Sequence, residues 1–388
     1  MVKKTYSLPD RIEIANQFGL YGDVYMVTPY GGGHINDTYS VESKVRSTGD
    51  VYGMVRYILQ RIDTNIFTRP EQMMGNIQLV TEAQHESIRA RGGDRLREAL
   101  TLIKTNDGKT FYWRNEDEPA TFWRCYYFLE GMRTYDSLED TPTGRDRAYQ
   151  AARAFGNFQL QLAELPGTKL VETIDNFHHT PTRIQQLEDA IRINHEGRAD
   201  VCKAEIEFAR SIYSVASAFV DGMANGTILI RVSHNDTKIN NVMFDFTGPE
   251  EIAMVVIDLD TVMPGTMLYD FGDLVRTSTW PGREDEPDPS KVYVSMALFE
   301  ELVKGWSRSV GHIMTPAEID NMALSGKIIT YNIGIRFLAD YFRGDTYFNI
   351  QRPDQNLERA RVQFAMIQSM DKQRNEMEEI VRKHASKI

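Results

Sequence analysis

The chain has 388 residues, 41% hydrophobic and 26% charged, with a net charge of −11 and a pI near 5.3. Those proportions exclude a disordered chain and suit two or three folded units, while the negative charge repels nucleic acid and anionic membranes and leaves a small molecule as the expected partner. The isolated Cys125 and Cys202 offer neither a disulfide framework nor a zinc site, and no run of about 18 apolar residues occurs, so a cytoplasmic protein is expected.

Residues 9–20 carry apolar side chains at helical spacing behind Pro9-Asp10 and predict a short helix. Residues 24–43 then hold two β-rich runs around Gly31, Gly32 and Gly33, and 53–63 predict a third strand. A helical period over 70–90 precedes two further strands at 109–114 and 120–131. After Gly131 the period is helical at 145–165, 183–196 and 201–224. An island of short strands lies between 229 and 257, and helices resume near 290–311, 317–344 and 354–385. Residues 280–291, with three prolines, read as a solvated loop. The predicted fold class is α+β and bilobal: a small β-rich lobe over 1–130 with one main helix, and a larger, mostly helical lobe over 131–388. Kinase-like phosphotransferases are the leading occupants of that architecture.

Chemistry concentrates in the island. The stretch SHNDTKINNVMFD, residues 233–245, sets a dense polar loop between two apolar strands, where such groups are costly unless satisfied or employed. Asp236 and Asn241 have the spacing of a kinase catalytic loop, in which an aspartate accepts the proton of the attacking hydroxyl and an asparagine carbonyl holds a metal on the phosphates. An Asx-rich turn is the bland alternative. The run AMVVIDLD ends in Asp258 and Asp260, predicted one pleat apart on one strand face, where both carboxylates reach hard Mg²⁺ ions. The literal Asp270-Phe271-Gly272 opens a helical stretch further on. Asp258 therefore takes the metal role, Asp270 is assigned to capping that helix or bracing the catalytic loop, and Asp273 to dipole stabilisation in the first helical turn.

In the first lobe, Gly31, Gly32 and Gly33 sit where a nucleotide loop would lie, free of the Cβ atoms that keep backbone from phosphates, although three glycines also make an ordinary hairpin turn. The third strand departs from the general kinase pattern: Gln60 stands where a phosphate-pairing lysine is expected, with Arg61 on the opposite face. Glu71, Glu82 and Glu86 are all open as the helix carboxylate. Adenine is expected against the connection 127–132, which makes Phe128 and Glu130 nucleotide-binding candidates beside Gln60.

The segments YGGGHINDTYSV, RYILQRIDTNIF, SHNDTKINNVMFD, VIDLDTVMPGTMLYDFGD and GIRFLADYFRGDTYF, spread over 30–348, together resemble the aminoglycoside phosphotransferase and choline kinase superfamily, and within it the bacterial N-acetylhexosamine 1-kinases. The resemblance implies an enzyme that uses ATP and Mg²⁺ to phosphorylate the anomeric hydroxyl of N-acetylglucosamine or N-acetylgalactosamine. Carried over, Asp236 is the base beside the sugar, Asn241 and Asp258 hold Mg²⁺, and His34, Arg336 and Tyr347 contact the sugar; His234, in the polar loop, is assigned separately to structural support. The same subgroup has Gln at the position of Gln60. Another sugar, inositol, choline or an aminoglycoside as acceptor, and a pseudokinase that only binds, are the alternatives. Arg336 and Asp340, four residues apart, also suit a plain intrahelical ion pair.

Overall fold

The computed structural model describes residues 5–31, 35–46 and 52–385. It divides into two compact units, Met1–Met132 with Leu259–Val262, and Arg133–Asp258 with Met263–Ile388.

The first unit opens with helix α1 (Leu8–Ala15), fixed by a reciprocal cap in which the Ser7 side chain accepts from the Asp10 N–H and the Asp10 carboxylate accepts from the Ser7 N–H. Strands β1 (Asp23–Pro29), β2 (Asp37–Arg46), β3 (Tyr52–Ile62), β4 (Leu102–Ile103), β5 (Tyr112–Arg114) and β6 (Thr121–Tyr127) form an antiparallel sheet in the order β1-β2-β3-β6-β4, with β5 also on β6. Residues alternate faces along each strand. One face presents Tyr39, Val41, Tyr57, Leu59, Trp123 and Cys125, which bury against Ile14, Ala15 and Phe18. The same parity puts Thr38, Gln60 and Arg124 in one cross-strand row on the other face, because Thr38 pairs with Gln60 and Gln60 with Arg124. Helix α2 (Pro70–Ala90) follows β3.

The second unit is helical around a small polar island. Helix α3 (Pro142–Gln161) is capped by Thr141, and α4 (Thr180–Ile193) follows. Strands β7 (Arg231–Ser233) and β10 (Met263–Gly265) pair antiparallel, and β8 (Val242–Asp245) and β9 (Ile252–Val256) form a hairpin. Helices α5 (Met267–Ser278), α6 (Met296–Val310), α7 (Pro316–Phe342), α8 (Gln355–Lys372) and α9 (Arg374–Ala385) complete the unit. Helices α3 and α6 approach closely because of two glycines: a Cβ on Gly305 would lie 2.1 Å from the Tyr149 carbonyl oxygen, and one on Gly156 2.7 Å from the Ser309 Cβ. One core cluster joins Leu187, Ala209, Tyr331, Ile335, Leu338, Phe342 and Ile367.

Two helices predicted as continuous are broken. Residues 201–224 fall into the short helices Arg198–Val201, Lys203–Ser211, Tyr213–Ala216 and Ala218–Asn225. The breaks at Cys202, Ile212 and Ser217 contain neither Pro nor Gly, and Ile206, Ala209, Ile212 and Ala216 still face the core, so the apolar period runs through them undisturbed. The C-terminal helix likewise divides at Gln373. The strand predicted over 120–131 ends at Tyr127.

Candidate active site

The polar loop 234–241 follows β7 and closes in a 3₁₀ turn, Ile239–Asn241, before β8. Its shape is imposed by Asp270 in the first turns of α5. The Asp270 carboxylate accepts from the Ser233 hydroxyl (2.8 Å), the backbone N–H groups of His234 (3.0 Å) and Asn235 (2.8 Å), and the Gln159 amide (2.6 Å). The Thr237 hydroxyl donates to the Asp270 carbonyl. The cap of α5 is Thr266, so Asp270 braces the loop and does not cap the helix. Asp273, expected in the first turn, lies deeper in α5, where its carboxylate accepts from Arg276 Nε at 2.8 Å; its role is an ion pair rather than a dipole contact.

His234 is fully buried between Phe155 and Phe158, each ring 5.7 Å away. Its Nε2 bonds the Ile257 carbonyl at 2.9 Å and its Nδ1 accepts from the Asp236 N–H at 3.3 Å, an arrangement that places the ring proton on Nε2. The Ile257 N–H in turn donates to the Asn241 carbonyl at 2.9 Å. These bonds tie the loop to the segment carrying Asp258. Asn235 (φ +65°) and Asp258 (φ +61°) both turn through the left-handed region, where Asn and Asp are the side chains best tolerated.

Two candidate groups, Asp236 and Asn241, meet in this unit. The Asn241 amide nitrogen donates to the Asp236 carbonyl (2.8 Å) and carboxylate (3.1 Å), which leaves the Asn241 Oδ1 as its remaining ligand atom. Lys238 Nζ lies 2.9 Å from Asp236 Oδ2. Burial would push the Asp236 carboxyl up, but the Lys238 ammonium overrides it and holds the group below its ordinary value. Burial opposes the Lys238 charge, yet Asp236 and Asp258 together push its pKa up to about 12, so the ammonium persists at neutral pH.

The residues expected to meet the acceptor also lie in this unit. Arg336, on α7, is ringed by Phe177, Tyr347 and Phe348, whose centroids lie 5.3, 5.9 and 5.6 Å from its guanidinium carbon. It makes no ion pair with Asp340. That carboxylate accepts instead from the backbone N–H groups of Thr346, Tyr347 and Phe348 at 2.8–3.0 Å and from the Asn356 amide, so Asp340 shapes the turn that presents the exposed Tyr347. Arg183, on α4, reaches the same place: its Nη2 donates to the Phe177 carbonyl at 3.1 Å. Beneath them His178 is buried, with Nε2 on the Asn235 carbonyl at 3.1 Å.

In the first unit the cross-strand row is joined by side-chain hydrogen bonds. The Gln60 amide nitrogen donates to Thr38 Oγ1 (3.0 Å) and its oxygen accepts from Arg124 Nε (2.9 Å). Arg124 continues to the Asp260 carboxylate, which also accepts from Asn36 at 2.7 Å. The strand pair of Asp258 and Asp260 is thereby corrected. Strand β9 ends at Val256, Asp258 turns, residues 259–261 form a 3₁₀ turn, and the Asp260 oxygens are committed to Arg124 and Asn36. Glu71, Glu82 and Glu86 are all exposed, with Glu71 on the Trp113 indole and Glu82 on Gln78. Arg56 spans Phe128 and Glu130, with its guanidinium 3.9 Å from the ring centroid and ion-paired to the carboxylate. Gly31 has φ +70° with open space at its Cβ position. Gly32, Gly33 and His34 lie outside the described residues.

Sequence reasoning passed over three cations. Lys238, two residues from Asp236, was legible as the one cation in the loop, and Arg124 as a charge inside the apolar run TFWRCYY. Arg183 had no local signal, since helix α4 reads as an ordinary amphipathic segment.

The chain matches the phosphotransferase enzyme family over residues 26–293. Among solved structures it is similar to a microcompartment-associated aminopropanol kinase (13% identity, TM-score 0.54, covering 95% of this chain and 98% of that one). It is also similar to a spectinomycin phosphotransferase in complex with ADP and spectinomycin (12%, 0.53, 93% and 98%) and to an amicoumacin kinase in complex with AMP-PNP and Ca²⁺ (14%, 0.54, 95% and 94%). At these identities the likeness is one of fold, a protein-kinase-like fold with an antiparallel sheet in its N-terminal part and helices in its C-terminal part. With the family match spanning well over half its length, the chain belongs to the phosphotransferase enzyme family.

Proposed function

We propose that this protein transfers the γ-phosphoryl group of ATP to the anomeric hydroxyl of N-acetylglucosamine or N-acetylgalactosamine, giving the sugar 1-phosphate and ADP. The observation that carries the reading is Arg336, a cation held among Phe177, Tyr347 and Phe348 within electrostatic reach of Asp236. Sugar hydroxyls need hydrogen-bonding groups and a sugar ring packs on aromatic faces, which this cluster supplies. The residues 1–130 would take the nucleotide and 131–388 the acceptor.

Asp236, ionised at neutral pH beside Lys238, accepts the proton of the anomeric hydroxyl as that oxygen attacks the γ-phosphorus and the bond to ADP breaks. Asn241 Oδ1 and the Asp258 carboxylate are hard oxygen donors, and this set fits Mg²⁺, which commonly takes one or two protein carboxylates and completes its shell with substrate phosphates. A bound metal neutralises charge on the transferring phosphates. Lys238 adds a fixed positive charge in the same loop, and the backbone bonds through His234 and Asp270 hold the base in place before substrate arrives. Asp260, occupied by Arg124, is left out of the metal set.

The test is ADP release from ATP and Mg²⁺ with N-acetylglucosamine, N-acetylgalactosamine, glucose, inositol, choline and kanamycin as acceptors, followed by ³¹P NMR of the product. An anomeric phosphate formed from an N-acetylhexosamine is the expected result. Stimulation only by choline, kanamycin or inositol overturns the acceptor assignment. Asp236→Asn should retain nucleotide binding and lower turnover by about 10³-fold, and an active Asp236→Asn enzyme overturns the role of the base.

A further inference from the structure

Arg183 and Arg336 converge on Phe177 from two different helices. Arg183 donates from Nε and Nη2 to the Phe177 carbonyl and from Nη1 to Gln186, while Arg336 lies over the Phe177 ring. Among the described residues neither guanidinium has a carboxylate within ion-pair distance. The titratable His178 lies buried beneath both and feels the charge of each, and other charged and titratable groups act on the pair from around it. Arg336 feels Tyr347, Arg276 and Asp236, and Arg183 feels Arg336, Tyr347 and the exposed Glu172. Asp236 is already balanced by Lys238, and Arg276 by Asp273. Burial and the charge of Arg336 pull even the Arg183 guanidinium down to about 10. Two partly buried cations without acids are costly to fold, and their uncompensated field is what an incoming acceptor meets.

We infer that Arg183 and Arg336 make the acceptor site selective against cationic acceptors, so that an amino sugar is phosphorylated efficiently only when its amine is acylated. The inference rests on the sugar 1-kinase reading and deepens it: N-acylation is needed because it removes a positive charge, and the acetyl group's shape is secondary. Specificity of this kind comes from a repulsive element built against the wrong ligand. Aminoglycosides and amino alcohols fall under the same exclusion.

Glucosamine and glucose separate charge from shape. The glucosamine amine, flanked by electron-withdrawing oxygens as an α-amino group is by its carbonyl, loses its proton near about pH 8. In the wild-type enzyme the ratio of kcat/KM for glucosamine to that for glucose should rise about tenfold between pH 6 and pH 9, while the ratio for N-acetylglucosamine to glucose stays flat. Arg183→Gln should raise the glucosamine ratio at pH 6 several-fold, and Arg183→Lys, which keeps the charge, should leave it near the wild-type value. A flat wild-type glucosamine profile alongside good N-acetylglucosamine turnover overturns the charge inference and leaves the sugar reading standing. So does a glucosamine ratio that Arg183→Gln does not move. Absence of turnover with every hexose overturns both. The wild-type profile decides the matter even where Arg183→Gln folds poorly.

Discussion

The loop around Asp270 and the cluster around Arg336 lie in the same unit, are rich in polar groups, and are wired in opposite ways. Asp270 is 1% exposed, and its carboxylate is met by four donors from three elements. The Arg336 cluster has two guanidiniums, three aromatic rings and no carboxylate in ion-pair distance among the described residues. A chain selected only to fold would put an acid there, because an uncompensated buried cation costs stability. A saturated network marks scaffold, and an unsaturated one marks a place where a ligand completes the bonding.

Substitutions on the two sides should therefore separate stability from activity. Asp270→Ala strands the Ser233 hydroxyl, two backbone N–H groups and the Gln159 amide. At about 1–3 kcal/mol for each buried group left unmade, partly relieved by relaxation, a loss of about 4 kcal/mol is expected, a large share of a domain's total stability. Urea unfolding should show it as a fall in the midpoint with an unchanged slope. Arg336→Met should do the reverse: kcat/KM for the acceptor falls about 10²-fold, equivalent to about 3 kcal/mol, while the urea midpoint stays put or rises as repulsion with Arg183 is relieved. If Arg336→Met unfolded the protein as readily as Asp270→Ala, the contrast between scaffold and receptor would collapse.

Local rules made some of this legible and long-range contacts hid the rest. Helix α2 lies over the residues the period marks, because Pro70 opens it and the apolar spacing is unbroken to Ile88. The row Thr38, Gln60 and Arg124 needs two strand registers at once, and register is set by tertiary pairing that no single strand reveals. Asp258 and Asp260 were misplaced for a local reason: alternation holds only while the strand lasts, and β9 stops two residues before Asp258. Asp236 and Asn241 could be singled out because their partners lie within one loop. Arg183 meets Arg336 from about 150 residues away in sequence, and nothing in either helix announces the other.

His178 tests the cluster from below, through pH. Burial first, and the charges of Arg336 and Arg183 after it, push its pKa down to about 3 against an opposing bond to the Asn235 carbonyl. In the unfolded chain a histidine titrates near about 6.5. The folded value lies below the unfolded one, so the neutral imidazole's contribution is fully present above about pH 6.5 and is lost as pH falls toward 3, because the unfolded chain takes up a proton that the folded one refuses. By pH 5 the loss should reach about 2 kcal/mol. Carboxylates titrate over the lower part of that window too, so the readout is a difference: the urea midpoint of wild type should fall faster between pH 7 and pH 5 than that of His178→Gln. Arg336→Met should flatten the wild-type slope slightly, because one of the charges depressing the imidazole is gone. Equal slopes in all three proteins would mean that the cluster's positive field does not reach the floor of the site, and the contrast with the Asp270 network would then be one of hydrogen bonding alone.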